Sequence, residues 1–354
     1  MQNENNNFIP KYFAAANSYN GFISFFDSIF KPEDFSMIYI LKGGPGTGKS
    51  SLMKNVSGYF HNQNYLVEEI YCSSDPKSLD AVIVEKENKK IAIIDGTAPH
   101  EKDARIPMAF DKIINLADNL NQDVLLYQRS EIISLAKQKS NVYQTAYFYL
   151  SAAGKFDSFI RECYNHNFNK NKTKIKADEY LKEILPALEP KCETRLISSF
   201  GRRGEVKLNT LKEQKLRLVK VGGSDYSAAL LLNCFKENLC LKNQKLTLFP
   251  FSLNPNFLDG ILIPDYSLAI IKDDDFDINA DEFVNIPPTE FEEIRCAKML
   301  RVDSLNEAVR WFSIASDLHF RLEKIYGEAM DFEKNNEIAS EIINEITTLM
   351  EKEI

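Results

Sequence analysis

The stretch GGPGTGKS, Gly43 to Ser50, constrains this chain more than any other part of it. It satisfies G-x-x-x-x-G-K-[ST] through Gly43, Gly48, Lys49 and Ser50. An apolar run, Ser36 to Lys42, precedes it. A segment with helical spacing follows, with Leu52, Val56 and Tyr59 or Phe60 on one face. Strand, glycine-rich turn and helix in that order form the context this spacing needs. Glycine admits backbone angles and close approaches that a Cβ would block. Successive backbone N–H groups can then turn toward phosphate oxygens, with the positive end of the helix at the same anion. Residues Gly43, Gly44, Pro45, Gly46, Thr47, Gly48, Lys49, Ser50 and Ser51 are therefore the expected phosphate cradle. Lys49 can reach the outer phosphates as a mobile point charge, and Ser50 can ligate Mg²⁺.

Asp95 is the natural companion. It closes the apolar run KKIAIID, at the carboxyl edge of a strand, where open α/β sheets bind ligands. There it can hold a water of a Mg²⁺ shell, or it can cap a turn before Gly96–Pro99. Gly96 stands where many hydrolysing P-loop enzymes carry a second acid. Other candidates for water polarisation are Asp75, just past the second strand YLVEEIYCS, and His100 and Glu101 in the following loop. Asp75 precedes Pro76 and also reads as a turn or cap residue, and His100 as a surface or internally satisfied histidine. Neither N-K-x-D nor D-x-x-G occurs where guanine recognition needs it, which leaves an adenine nucleotide by elimination.

Apolar strands alternating with helices predict an α/β fold with a mainly parallel sheet. A long helical region is expected from about 123 to 164, then the polar run NHNFNKNKTKIK and a helix over ADEYLKEILPAL. The second half repeats the plan. SSDPKSLDAVIV, Ser73 to Val84, aligns with SLNPNFLDGILI, Ser252 to Ile263. IAIID aligns with LAIIKD, and LKGG with VKVG. A tandem duplication follows. Residues 1–190 form one expected domain, with a helical extension over about 123–190, and 191–354 the other. Alignment of Lys42 with Lys220 puts Val221, Tyr226, Ser227 and Ala228 at the places of Gly43, Gly48, Lys49 and Ser50. The second loop is thus degenerate, and that half reads as a pseudo-domain. Arg202 and Arg203 in GRRGE read as a solvated basic loop or an arginine finger, and KDDDFD, Lys272 to Asp277, as a solvated acidic run.

Bulk properties exclude several classes. The formal charge of −8 argues against a general nucleic-acid or membrane-surface binder. No apolar run approaches the ~20 residues of a membrane span. The start MQNENNNFIP lacks the basic and apolar regions of a signal peptide, and none of the six cysteines forms a C-x-x-C pair. The expected setting is the cytoplasm, with reduced thiols.

Three stretches together, ILKGGPGTGKSSLMK, CSSDPKSLDAVIV and IIDGTAPH, resemble an uncharacterised group of bacterial P-loop ATPase-like proteins, mainly from Firmicutes. That group is built from two tandem P-loop halves and described as ATP-binding proteins, ATPases or nucleotide kinases. The resemblance implies ATP binding at Gly43 to Ser50 with Mg²⁺. It departs at VGGSDYSA, since members commonly keep a loop in both halves. Three functions are open: a slow Mg²⁺-dependent ATPase working as a nucleotide-driven switch; a nucleotide or small-molecule kinase, with Arg105, Arg129 and Arg161 as scattered lid candidates; and an interaction module. In the last, nucleotide is structural and the helices at 123–164 and 304–352 dock a protein partner.

Overall fold

The computed structural model describes residues 8–167, 191–222, 225–241, 245–272, 282–285 and 292–352. The helix expected at 177–188 and the acidic run beyond Lys272 lie outside them, as does most of the polar run before that helix. The chain divides into two compact units. Unit 1 takes residues 1–15, 26–146 and 310–354, and unit 2 takes 16–25 and 147–309. The units thus cut across the sequence boundary at 190/191.

Unit 1 contains a six-stranded sheet of β1 (Lys11–Phe13), β4 (Met37–Lys42), β5 (Leu66–Tyr71), β6 (Leu79–Lys86), β7 (Lys89–Asp95) and β8 (Asp111–Asn115), in the order β1-β5-β6-β7-β4-β8. β1 runs parallel to β5, and β4 parallel to both β7 and β8. β6 is antiparallel to both its neighbours, so the sheet is mixed, although most of its pairings are parallel. Helices α1 (Phe26–Ile29), α2 (Lys49–Asn62), α3 (Gln122–Tyr127) and the first part of α4 (Arg129–Asn167) belong here. So do the last part of α6 (Glu292–Glu328) and all of α7 (Phe332–Glu351).

Ile38, Tyr39, Ile40 and Leu41 of β4 are all fully buried, which is why this strand reads as an unbroken apolar run. Leu52, Met53, Val56 and Phe60 turn one stripe of α2 into the core, while Tyr59 stays exposed. That stripe meets Tyr39, Leu41, Val82, Val84, Ile91 and Ile93 of the sheet and Ile342 and Ile346 of α7 in one cluster. The helical stretch expected at the end of the chain therefore packs, in its last part, on its own unit's core.

Unit 2 repeats the sheet with β9 (Lys191–Thr194), β12 (Arg217–Gly222), β13 (Lys245–Pro250), β14 (Leu258–Ile263), β15 (Leu268–Lys272) and β16 (Glu282–Asn285), ordered β9-β13-β14-β15-β12-β16. The direction pattern is the same, β14 being antiparallel to β13 and β15 and the other pairs parallel. The register even shifts at the same place in each sheet, at Ile70/Tyr71 and at Phe249/Pro250. Two further pairs, β2 (Ala15–Ser18) with β3 (Gly21–Ser24) and β10 (Ser198–Gly201) with β11 (Gly204–Lys207), stand apart from the large sheets. Arg202 and Arg203 form the turn of the second pair. Helix α5 (Asp225–Leu241) buries Ala228, Leu231, Leu232, Phe235 and Leu239 against β12, β14 and β15.

Both units are therefore α/β, with mixed sheets of mostly parallel strands flanked by helices. Among the described residues no helix is long and apolar enough to cross a membrane, and five cysteines are free.

Candidate functional site

The carboxyl edge of the unit 1 sheet carries the site. β4 lies between β7 and the edge strand β8, and the chain leaves it through Gly43–Gly48 into α2. Gly46 and Gly48 adopt left-handed angles, φ 73° and 81°. Gly48 is the N-cap of α2 and offers no side-chain hydrogen bond, so the first N–H groups of the helix are left to partners other than a cap. Thr47 Oγ1 donates to the Gly44 carbonyl at 2.8 Å and stiffens the turn.

Lys49 folds back over this loop. Its Nζ donates to the carbonyls of Gly43 and Gly44, at 2.9 Å each, and lies 3.7 Å from Asp95 Oδ2. Ser50, one residue on, accepts the N–H of Leu79 at 2.9 Å, which ties the start of α2 to the start of β6. The outer side of the loop is packed as well. A Cβ on Gly46 would run into the backbone carbonyl of Glu323, and one on Gly44 would lie 3.1 Å from the Tyr326 ring. Asn335 of α7 donates to the Thr47 carbonyl at 2.8 Å and accepts from Asn119 at 3.1 Å. The turn between α6 and α7 thus grips the loop from outside.

Asp95 has both roles read from its position. Oδ1 accepts the backbone N–H of Thr97 at 2.9 Å and its hydroxyl at 2.6 Å, which caps the turn. Oδ2 faces Lys49. Burial pushes this carboxyl above its usual range; Lys49 opposes the shift and the charge of Asp80 adds to it. Position 96 has no room for a side chain. A Cβ there would run into Ile40 Cγ2 and lie 3.0 Å from the Lys102 carbonyl, which explains the glycine where a second acid was sought.

Asp80 is the residue that sequence reasoning missed. Ala81 of β6 pairs with Ile94 of β7, so Asp80 comes next in register to Asp95. Asp80 is the residue at which β6 slips against β5, between Leu79 and Ala81, and Leu79, Val82 and Val84 on either side of it pack under α2. Asp80 is buried, and its Oδ2 lies 3.4 Å from His100 Nε2. The other ring nitrogen of His100 lies 3.1 Å from the Asp95 carbonyl, and the ring stacks on Phe26 at 4.5 Å. Burial alone would push the imidazole down, but the hydrogen bond and charge of Asp80, with the charge of Asp95, outweigh it and the net shift is upward. The only hint in the sequence was the shared S-x-x-P-x-x-L-D pattern, which marks Asp80 and Asp259 as equivalent.

Asp75 sits in the turn after β5, its carbonyl accepting the N–H of Ser78 at 2.8 Å. Arg105 pairs with Asp27 at 3.0 Å.

No family model, curated protein or solved structure matches this chain.

The corresponding edge of unit 2 has different chemistry. Val221 pairs with Lys272 as Leu41 pairs with Asp95, so a lysine occupies the place of the aspartate, and the register sets Val221 at the place of Leu41, two residues off the alignment of Lys42 with Lys220 that put it at Gly43. Lys272 Nζ lies 3.8 Å from Asp259 Oδ1, and Ser198 donates to Asp259 Oδ2 at 2.8 Å. Ser227 and Ala228 are buried, and Tyr226 stacks on Tyr164 with ring centres 5.7 Å apart. Arg161 and Arg301 both bond to Asp157, at 2.6 and 3.0 Å, and line a cavity of about 10 Å³ with Lys272, Asp259 and Phe257, room for about one water. Cations of the protein itself fill this edge.

Proposed function

We propose that this chain is an ATP-binding protein built from two tandem P-loop domains, and that its first domain is a slow Mg²⁺-dependent ATPase working as a nucleotide-driven switch. The observation that carries the reading is the placement of Lys49 over the Gly43 and Gly44 carbonyls and beside Asp95, at the N-terminus of α2. Left-handed glycines and helix N–H groups without a side-chain cap suit such a turn to binding an anion. The lysine adds a movable charge at its rim.

The residues present fit a Mg²⁺ ion. Ser50 Oγ accepts one hydrogen bond and keeps a second lone pair, and Asp95 keeps Oδ2 facing the site. Mg²⁺ binds through one or two protein oxygens and fills its shell with water and phosphate. Among the described residues no group of three or more His, Cys, Asp and Glu is placed to hold a metal by itself. When bound, it would neutralise charge on the outer phosphates.

The matching strand order, direction pattern and register shift of the two sheets support duplication. Lys272, at the place of Asp95, supports a second copy that has lost triphosphate binding. Slow turnover is supported by Gly96, where a glutamate cannot fit. The switch is supported by the grip of Asn335, Tyr326 and Glu323 on the loop, because a loop that shifts on binding must shift the α6–α7 turn with it.

The test is to measure ATP binding and phosphate release for wild type and Lys49→Ala, alone and with a panel of nucleosides and nucleotides. Binding lost in Lys49→Ala, with slow acceptor-independent release in wild type, is the expected result. Acceptor-dependent ADP formation would make the protein a kinase, and binding without turnover would make nucleotide a structural ligand. Absence of binding in wild type sinks the reading.

A further inference from the structure

We infer that Asp80, held by His100, is the water-orienting carboxylate of this site and does the work that a glutamate after Asp95 does elsewhere. The inference rests on the ATP-binding reading above and adds a residue to it. Three geometric facts lead there. First, the S-x-x-P-x-x-L-D segment ends at the same sheet edge as the loop, and the Ser50–Leu79 hydrogen bond fixes the residue before Asp80 to the first turn of α2. Second, the β6–β7 register sets Asp80 beside Asp95, whose carboxyl feels the charge of Asp80. Third, Asp80 is oriented from behind. His100 Nε2 meets its Oδ2 at 3.4 Å, and the ring is itself fixed by the Asp95 carbonyl at 3.1 Å and by stacking on Phe26. A carboxylate held in this way loses little freedom on meeting a water.

Unit 2 supplies an internal contrast. Asp259 is the equivalent acid, yet Lys272 stands where Asp95 would be and lies 3.8 Å from it. There the acid faces a cation of the protein; in unit 1 it lies beside a second acid, and Lys49 lies against Asp95 and the loop. Two adjacent carboxylates at the mouth of a phosphate loop divide the labour by position. Asp95 lies next to Lys49. Asp80 lies one strand further from β4, buried beside Asp95.

In the reaction the oxygen of one water forms a bond to the terminal phosphorus, and the bond from that phosphorus to the bridging oxygen breaks, its electron pair leaving on ADP. One proton of the water stays on the inorganic phosphate and the other goes to solvent. Asp80 accepts a hydrogen bond from the water and aims its lone pair along the line of attack. Nothing in this role calls on Asp80 for ground-state binding of ATP.

The full-length protein tests this through binding as well as turnover. A fluorescent ATP analogue gives ground-state affinity with Mg²⁺. ADP with aluminium fluoride, whose complex includes the in-line water, gives affinity for a transition-state mimic. Asp80→Asn should keep ATP affinity within about threefold, lose aluminium fluoride trapping, and lower phosphate release by about 100-fold, the usual size of such a contribution. His100→Gln should lower release by about tenfold with the same split, and Asp259→Asn should leave all three unchanged. Equal losses of ATP and mimic affinity in Asp80→Asn would mean a structural role, and unchanged release would overturn the inference directly. Should Asp80→Asn fail to fold, as a thermal melt would show, His100→Gln decides: unchanged trapping and release overturn the assignment. Wild type that binds ATP without any turnover overturns it too, while leaving the binding claim intact. Wild type that binds no ATP removes the reading on which it stands.

Discussion

Two glycines twelve positions apart have opposite tasks, and substitution separates them. Gly46 sits in the loop at φ 73° with the Glu323 carbonyl where a Cβ would go. Gly46→Ala must bear left-handed strain of about 1–2 kcal/mol and also push α6 away. Gly58 lies inside α2, exposed, with nothing within 4 Å of its would-be Cβ. Gly58→Ala should stabilise by about 0.5–1 kcal/mol through helix propensity. Denaturant titration of the two variants should show shifts of opposite sign, with Gly46→Ala losing at least about 2 kcal/mol; a neutral Gly46→Ala would deny the close packing on the loop. At this scale the loop was legible because every residue type in it is constrained locally. Asp80 was not, because its neighbour Asp95 follows from the pairing of β6 with β7, and the sequence does not state which strand lies beside β6. Asn335 was further out of reach, since it meets Thr47 across 288 positions of chain.

Helix α7 shows how far an element can be read from its own spacing. Ala339, Ile342, Ile346 and Met350 recur at three- and four-residue intervals, and all are buried. Asp331 caps the helix, its side chain accepting the N–H groups of Glu333 and Lys334. The pattern declares an amphipathic helix but not its partner, so docking of another protein and packing at home read alike; in the fold its apolar face meets α2 and the sheet. Ile346→Ala should cost about 2–5 kcal/mol, whereas Thr348→Ala on the exposed face should stay within about 0.5 kcal/mol. Asn335→Ala leaves the buried Thr47 carbonyl without that donor and should cost about 1–3 kcal/mol. Chemical denaturation checks all three, and an Ile346→Ala variant as stable as wild type would put α7 outside the core. The direction of β6 was illegible for a related reason. Apart from Asp80, LDAVIV is apolar because both faces are buried, and such a run has no mark of direction. Only its short connection to β7, through Glu87 and Asn88, makes the pair antiparallel.

At the scale of the whole molecule the sequence repeat and the compact units are different partitions of one chain. The repeat suggests a cut near residue 190, because the aligned segments restart soon after it. The contacts place residues 310–354 in unit 1, after the chain has built unit 2. The physical reason is the apolar side of α2: Val56 and Phe60 lie in a cluster that is completed by Ala339, Ile342, Ile346 and Met350 from the far end of the chain. A fragment ending at residue 190 keeps every strand of the first sheet but loses that cover, the cap at Asp331 and the Asn335 bond to the loop. Burying three large aliphatic side chains is worth about 1.5–3 kcal/mol each, a large part of a typical net stability of about 5–15 kcal/mol. The fragment 1–190 should therefore melt broadly and at lower temperature than the full chain, and bind the fluorescent ATP analogue at least about tenfold more weakly. Adding a peptide of residues 310–354 in trans should sharpen the melt and recover part of the affinity. A fragment 1–190 that melts cooperatively at the full-length temperature, with unchanged affinity, would show that the first copy stands alone and that α7 only rests against it.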